Sequence, residues 1–277
     1  MPFTLAGRTA LVTGAGRGIG RATARTLAEY GAAVMVNDLD AGPASETVAM
    51  IAASGGAVAA FAGDITDPAL PQKLVDATLE RFGSLDIIVN NAGYTWDTVI
   101  QKMTDEQFQT MLNVHLVAPF RILRAASGWI RETAKREAAE GKRVMRKVVN
   151  ITSVAGVDGG AGQAAYSSAK AGVIGLTKTM AKEWGRYNVN VNVVGFGIIE
   201  TRLVLPITPD GPPVVEVQGR RVPVGAQPKT LEWAKNACPL GRLGTPEEAA
   251  NAVLFFCSPL SDYVTGETLL CGGGLHF

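Results

Sequence analysis

The 277 residues carry 26 Lys and Arg against 25 Asp and Glu, a net charge of +1, and 47% of them are hydrophobic. That balance makes no electrostatic case for a nucleic-acid or membrane-surface partner, and no apolar run approaches the length of a membrane span. The three cysteines (Cys238, Cys257, Cys271) are odd in number and outside C-x-x-C spacing, so they read as reduced thiols of a cytoplasmic protein. Two histidines are too few for a histidine-built metal centre, so no metal is expected. Met1 to Arg8 leads straight into an apolar strand and lacks the charged segment, apolar stretch and cleavage site of an export signal.

In chain order, the pattern predicts strands at Thr9–Thr13, Ala33–Asn37, Val58–Ala62, Ile87–Asn90, Lys147–Thr152, Val189–Val194 and Thr268–Cys271. Helical periodicity falls between them near 19–30, 43–54, 68–82, 104–133, 164–187 and 246–257. The last of these has a clear start signal, with Thr245 as N-cap, Pro246 at the first position and Glu247-Glu248 in the first turn. Strands alternating with helices indicate βαβ units and a parallel sheet covered on both faces. The expected fold is α/β, one doubly wound domain over residues 1–277 with seven parallel strands and no repeat of fixed period.

Two stretches interrupt the alternation. Arg131 to Lys147 holds seven basic and three acidic residues; it reads first as a solvated helix end and loop, with docking of an acidic or phosphate-bearing partner as the alternative. Leu205 to Leu240 holds seven of the fourteen prolines. It is too long for an ordinary connection, and such loops often act as lids. Residues 201–240 are therefore expected to form a substrate lid, ordered at least over the helical patch Lys229 to Ala237.

The first strand runs into Thr13-Gly14-Ala15-Gly16-Arg17-Gly18-Ile19-Gly20, and a helix follows. Glycines between a strand and a helix let the chain turn tightly and let backbone N–H groups approach a pyrophosphate. The spacing is G-x-x-x-G-x-G. The second strand ends in Val36-Asn37-Asp38. A carboxylate there can accept hydrogen bonds from an adenosine ribose and repel a 2′-phosphate. Arg17 points the other way, since it can pair with such a phosphate. Asp38 acts at the 2′ position itself, so NAD is favoured over NADP.

Tyr166 and Lys170 lie four residues apart, on one face of a helix. An ammonium beside a phenol favours the phenolate. A tyrosine brought down from its ordinary pKa of about 10 toward neutrality can act as general acid and base. Many helices carry this spacing with no chemistry attached; here the phosphate loop gives it a context.

Together these residues resemble the short-chain dehydrogenase/reductase family, over essentially the whole chain. The resemblance implies a Rossmann domain and assigns the glycine motif to Gly14, Arg17, Gly18, Ile19 and Gly20, and an adenine contact to Asp64 with Ile65. It assigns further cofactor contacts to Asn91, Ala92 and Gly93 in Asn90-Asn91-Ala92-Gly93, and to Ile199 and Thr201. It implies a catalytic set of Asn113, Ser153, Tyr166 and Lys170, with Tyr166 and Lys170 also touching the cofactor. One departure is Phe196-Gly197 after the sixth strand, where the family commonly has Pro-Gly; Phe does not fix φ as Pro does.

The resemblance further implies a homotetramer and hydride transfer between NAD(H) and a secondary alcohol or ketone. The 3-oxoacyl-thioester (acyl-carrier-protein) reductases and NAD-linked 3-hydroxyacyl-CoA dehydrogenases of the family look most similar. Phe196, Leu203, Val204 and Leu205 suit an acyl chain, with acyl-CoA or acyl carrier protein as the partner. A steroid or polyol dehydrogenase is the alternative. An inactive dinucleotide-binding regulator would be marked by loss of Tyr or Lys, and neither is lost.

Overall fold

The structure is a computed structural model that describes residues 3–208, 211–217 and 219–276. The first half alternates β1 (Thr9–Val12), α1 (Gly18–Glu29), β2 (Ala33–Asp38), α2 (Ala41–Ala53), β3 (Val58–Ala62), α3 (Leu70–Phe82) and β4 (Ile87–Asn90). Then come α4 (Asp105–Leu112), α5 (Ala118–Ala139), β5 (Arg146–Ser153), α6 (Ala164–Trp184) and β6 (Val189–Phe196). The hairpin β7 (Val214–Val217) and β8 (Arg220–Pro223), helix α7 (Pro228–Ala237), α8 (Pro246–Cys257) and β9 (Thr268–Cys271) complete the described chain.

Seven parallel strands form one sheet in the order β3-β2-β1-β4-β5-β6-β9. Side chains alternate across each strand, so β1 sends Ala10 and Val12 to one face and Leu11 to the other. Val34 and Val36 join Leu27, Val253 and Phe256 in the first core. Met35 joins Leu74, Ile122, Ile130 and Trp184 in the second. With both faces covered, β1, β4 and β6 are buried at every residue, the pattern of a parallel sheet. The strand order reverses between β1 and β4, which opens a crevice at the carboxyl ends of the strands.

Three differences from the sequence reading have physical causes. The helix expected over 104–133 divides into α4 and α5 at a π turn, Asn113–Val117, and Pro119 opens α5 without an N–H to give. The strand composition of Val214-Val215-Glu216-Val217 was hidden among prolines, yet it pairs with Arg220–Pro223 as a hairpin.

The third difference concerns the basic stretch. Arg146 and Lys147 are not solvated; they begin β5 and are 3% and 4% exposed. The Arg146 guanidinium donates to both Glu137 oxygens at 2.8 and 2.6 Å, and Lys147 donates to Asp262 at 2.7 Å and Asn190 at 2.8 Å. Of the exposed remainder, Lys135 pairs with Glu132 and Lys142 with Glu140. At ~3.3 Å per residue, β5 separates this end of the sheet from Ser153 by ~23 Å.

Candidate active site

The crevice is a cleft of about 1110 Å³ that brings together every residue the sequence reading assigned to catalysis or cofactor binding. Its floor is the phosphate loop and the ends of β4, β5 and β6. Leu203, Val204, Ile207, Val215 and Trp233, from the excursion between β6 and α8, line its other side.

The phosphate loop is held by long-range hydrogen bonds. The Thr13 hydroxyl accepts the N–H groups of Asn91 (3.0 Å) and Ala92 (3.1 Å), and Asn91 Nδ2 donates to the Thr13 and Gly14 carbonyls at 2.9 and 3.1 Å. Gly14 and Gly18 have φ of +61° and +52°, and a Cβ on Gly20 would stand 2.1 Å from the Gly14 carbonyl oxygen. Arg17, at the N-cap of α1, offers no side-chain cap, and the first turn holds no acidic residue. The N–H groups of that turn are therefore left for an anion, so these residues fit a dinucleotide pyrophosphate.

At the end of β2, Asp38 accepts the Gly16 N–H on Oδ2 (2.8 Å) and the Asp40 N–H on Oδ1 (3.1 Å). Arg17 is drawn away by Asp40, 2.9 Å distant. Asp64 accepts the Thr66 N–H (2.8 Å) and hydroxyl (2.7 Å), which sets its carboxylate at the cleft edge.

The end of β5 is clasped to α6. Lys170 Nζ donates to the Ile151 carbonyl at 2.8 Å, and the Thr152 hydroxyl donates to the Lys170 carbonyl at 2.7 Å. Ser153 ends β5 and hydrogen-bonds the Tyr166 phenol. Lys170 Nζ lies 5.7 Å from the Tyr166 ring centroid. Asn113 stands at the π turn with its Oδ1 accepting from Gln109 at 2.9 Å.

The electrostatics correct one expectation. Lys170 does not draw the Tyr166 phenol toward neutrality in the chain by itself. Burial pushes Tyr166 up to about 12, with the Ser153 hydrogen bond opposing and Asp97 adding to the rise. Burial brings Lys170 down to about 7. Both shifts arise because each charged form loses water without gaining a counter-ion.

Sequence reasoning missed three cleft residues. His115 is 3% exposed, with Nε2 2.7 Å from the Tyr94 carbonyl and its ring edge-on to Tyr166 at 5.0 Å. A carbonyl only accepts, so the proton sits on Nε2. Desolvation, with Lys170 nearby, holds this imidazole well below its usual pKa. Asp97 accepts from Gln163 at 2.8 Å, and burial raises its carboxyl. Arg202 reaches the cleft from the residues after β6. The only sequence sign of each was its closeness to a motif, since nothing in spacing says which neighbours turn inward.

A doubly wound sheet with a glycine loop at the switch point and a Ser–Tyr–Lys set across the cleft defines a nicotinamide-dinucleotide-dependent oxidoreductase acting on CH–OH groups. The chain belongs to the short-chain dehydrogenase/reductase family: residues 14–276 match the family model described as Enoyl-(Acyl carrier protein) reductase. It is 36% identical to 3-oxoacyl-[acyl-carrier-protein] reductase FabG of Vibrio cholerae over 274 residues, 99% of each chain. The enzyme of the same name from Escherichia coli is 36% identical over 270 residues, and that of Thermotoga maritima 34% over 271, each covering 98% of both chains.

Proposed function

We propose that this protein interconverts a 3-oxoacyl and a 3-hydroxyacyl thioester with NAD(H), on an acyl carrier protein or coenzyme A. Full-length similarity to reductases named for 3-oxoacyl-[acyl-carrier-protein] carries the substrate class. The apolar wall of Leu203, Val204, Ile207 and Val215 suits the acyl chain.

The dinucleotide is held by the Gly14–Gly20 loop with Arg17 and Ile19, by Asp38, by Asp64 and Ile65, by Asn91, Ala92 and Gly93, and by Ile199, Thr201, Tyr166 and Lys170. When bound, it would supply the hydride chemistry, with the protein supplying orientation and field. Tyr166 donates its phenolic proton to the substrate oxygen in reduction and takes it back in oxidation. Ser153 donates a hydrogen bond to that oxygen and fixes its place. Lys170, poised to gain or lose a proton near pH 7, resupplies the phenol. Asn113 orients the water that joins Lys170 to solvent. NAD rather than NADP follows from Asp38, with Arg17 held by Asp40.

Residues 1–277 act as one dinucleotide-binding domain, with 201–240 as its substrate lid. The chain works in the cytoplasm, in keeping with three free thiols. It assembles as a homotetramer through exposed apolar side chains such as Phe108 and Phe120 on α4–α5 and Phe255 and Leu269 on α8–β9.

A second reading, oxidation of a polyol or steroid alcohol, draws on the Asp97–Gln163 pair in the cleft, which can hydrogen-bond a hydroxylated substrate. Rates for 3-oxoacyl thioesters, steroids and polyols with both dinucleotides test these readings. Turnover of polyols or steroids with inert thioesters would overturn the first.

A further inference from the structure

Helix α4 runs into α5 through the π turn Asn113–Val117, and His115 stands in its middle. Turns of this kind gather at functional sites. Here the imidazole turns inward, 3% exposed, into room left by a glycine. A Cβ on Gly93 would stand 2.2 Å from its Cε1 and 2.6 Å from its Nδ1. A larger residue at 93 would drive the ring out.

The two ring nitrogens are placed differently. Nε2 donates to the Tyr94 carbonyl at 2.7 Å. Nδ1 is buried with no hydrogen-bond partner among the described residues. A buried acceptor left unpaired costs ~1–3 kcal/mol, and an apolar side chain of the same size would carry no such cost. Filling space therefore gives no reason for a histidine here. What the imidazole adds is a ring whose orientation is fixed by a bond to the backbone. That ring stands 5.0 Å from the Tyr166 ring at an interplanar angle of 89°, a favoured arrangement for aromatic pairs. Burial, with Lys170 adding to it, keeps the imidazole neutral, so it brings no second cation up to the ammonium.

Ser153 holds the other end of Tyr166, at the phenol. In turnover both hydroxyls serve the substrate oxygen, so the phenol ring needs a hold that leaves its own oxygen free. We propose that His115 is a positioning residue that braces the Tyr166 ring from the π turn, through its bond to the Tyr94 carbonyl. The proposal rests on the reading of Tyr166 as proton donor and adds a residue that acts through it.

Steady-state kinetics of His115→Gln and His115→Phe, each in the native and the Tyr166→Phe background, test this with an acetoacetyl thioester and NADH. Gln keeps a donor for the Tyr94 carbonyl and loses the ring; Phe keeps the ring and loses the donor. Thermal melts show which variants are folded, and either one suffices. In the native background kcat should fall about tenfold or more, with KM and the Kd for NADH changed by less than about twofold. In the Tyr166→Phe background the same substitutions should leave the residual turnover unchanged, because no phenol remains to be aimed. Native-like kcat in both single variants overturns the proposal. So does an equal fractional loss in the two backgrounds, which is the mark of a purely structural role. A Tyr166→Phe variant as active as native protein overturns the reading of Tyr166, and the proposal with it.

Discussion

Lys170 and Tyr166 stand one turn apart on α6, with the ammonium 5.7 Å from the phenol ring centroid and bonded to the Ile151 carbonyl at 2.8 Å. The lysine is thus anchored to β5, and the tyrosine meets Ser153 at the end of the same strand. Helix and strand are set in register by the Thr152–Lys170 hydrogen bond. A proton donor and its supply are held there with little room to drift.

Replacing Tyr166 by Phe removes the proton donor and keeps the ring that packs against His115. Turnover should fall at least ~100-fold, a far larger change than any in the Kd for NADH, because the other cofactor contacts remain. Native-like kcat in the purified variant would remove Tyr166 from the mechanism.

Asp38→Ser should move preference from NAD toward NADP, because it removes a charge that repels a 2′-phosphate. Arg17 then has less negative charge competing for it. The ratio of Kd values for NADPH and NADH measures the change. Tighter binding of NADPH than NADH by the native chain would show that Arg17 outweighs Asp38.

The pH dependence of Lys170 has a definite sign. Its folded pKa is lowered to about 7, so between there and the unfolded value of about 10.4 the unfolded chain binds more protons. Native stability relative to Lys170→Met should therefore rise with pH across that window, by up to ~1.4 kcal/mol per unit. Denaturant melts of both proteins from pH 6 to 10 check it; a difference that shrinks as pH rises contradicts the burial of a neutral lysine.

Arg146→Met strips the half-buried Glu137 carboxylate of its partner and leaves the buried Asp86 with Arg8 at 3.5 Å as its remaining cation. Breaking such a group should destabilise the protein by about 3 kcal/mol or more and leave NADH affinity unchanged, since the pair lies at the far end of β5. Unchanged urea midpoints would show that the pair contributes nothing.

Lys142 and Arg143 sit at that same far end, and Lys142 is engaged with Glu140. Changing both to Ala should leave KM for a thioester unaltered even at low ionic strength, where surface attraction is strongest. A raised KM would revive the docking alternative for the basic stretch.

The sequence by itself determined what depends on residues close along the chain. The glycine loop between β1 and α1, the Tyr166–Lys170 spacing and the Thr245–Pro246 start of α8 were all legible because each is a local pattern with a local physical cause. The capping box at Thr245 and Glu248 forms as such a signal directs. Tertiary structure decided the rest. Thr13 and Asn91 are joined across 78 positions; Arg146 and Lys147 turn inward because Glu137 and Asp262 wait there; His115 and Arg202 enter the cleft because of how the π turn between α4 and α5 and the excursion after β6 pack. The direction of the Tyr166 shift was settled the same way, since desolvation depends on every neighbour a group acquires on folding, and spacing along the chain records none of them.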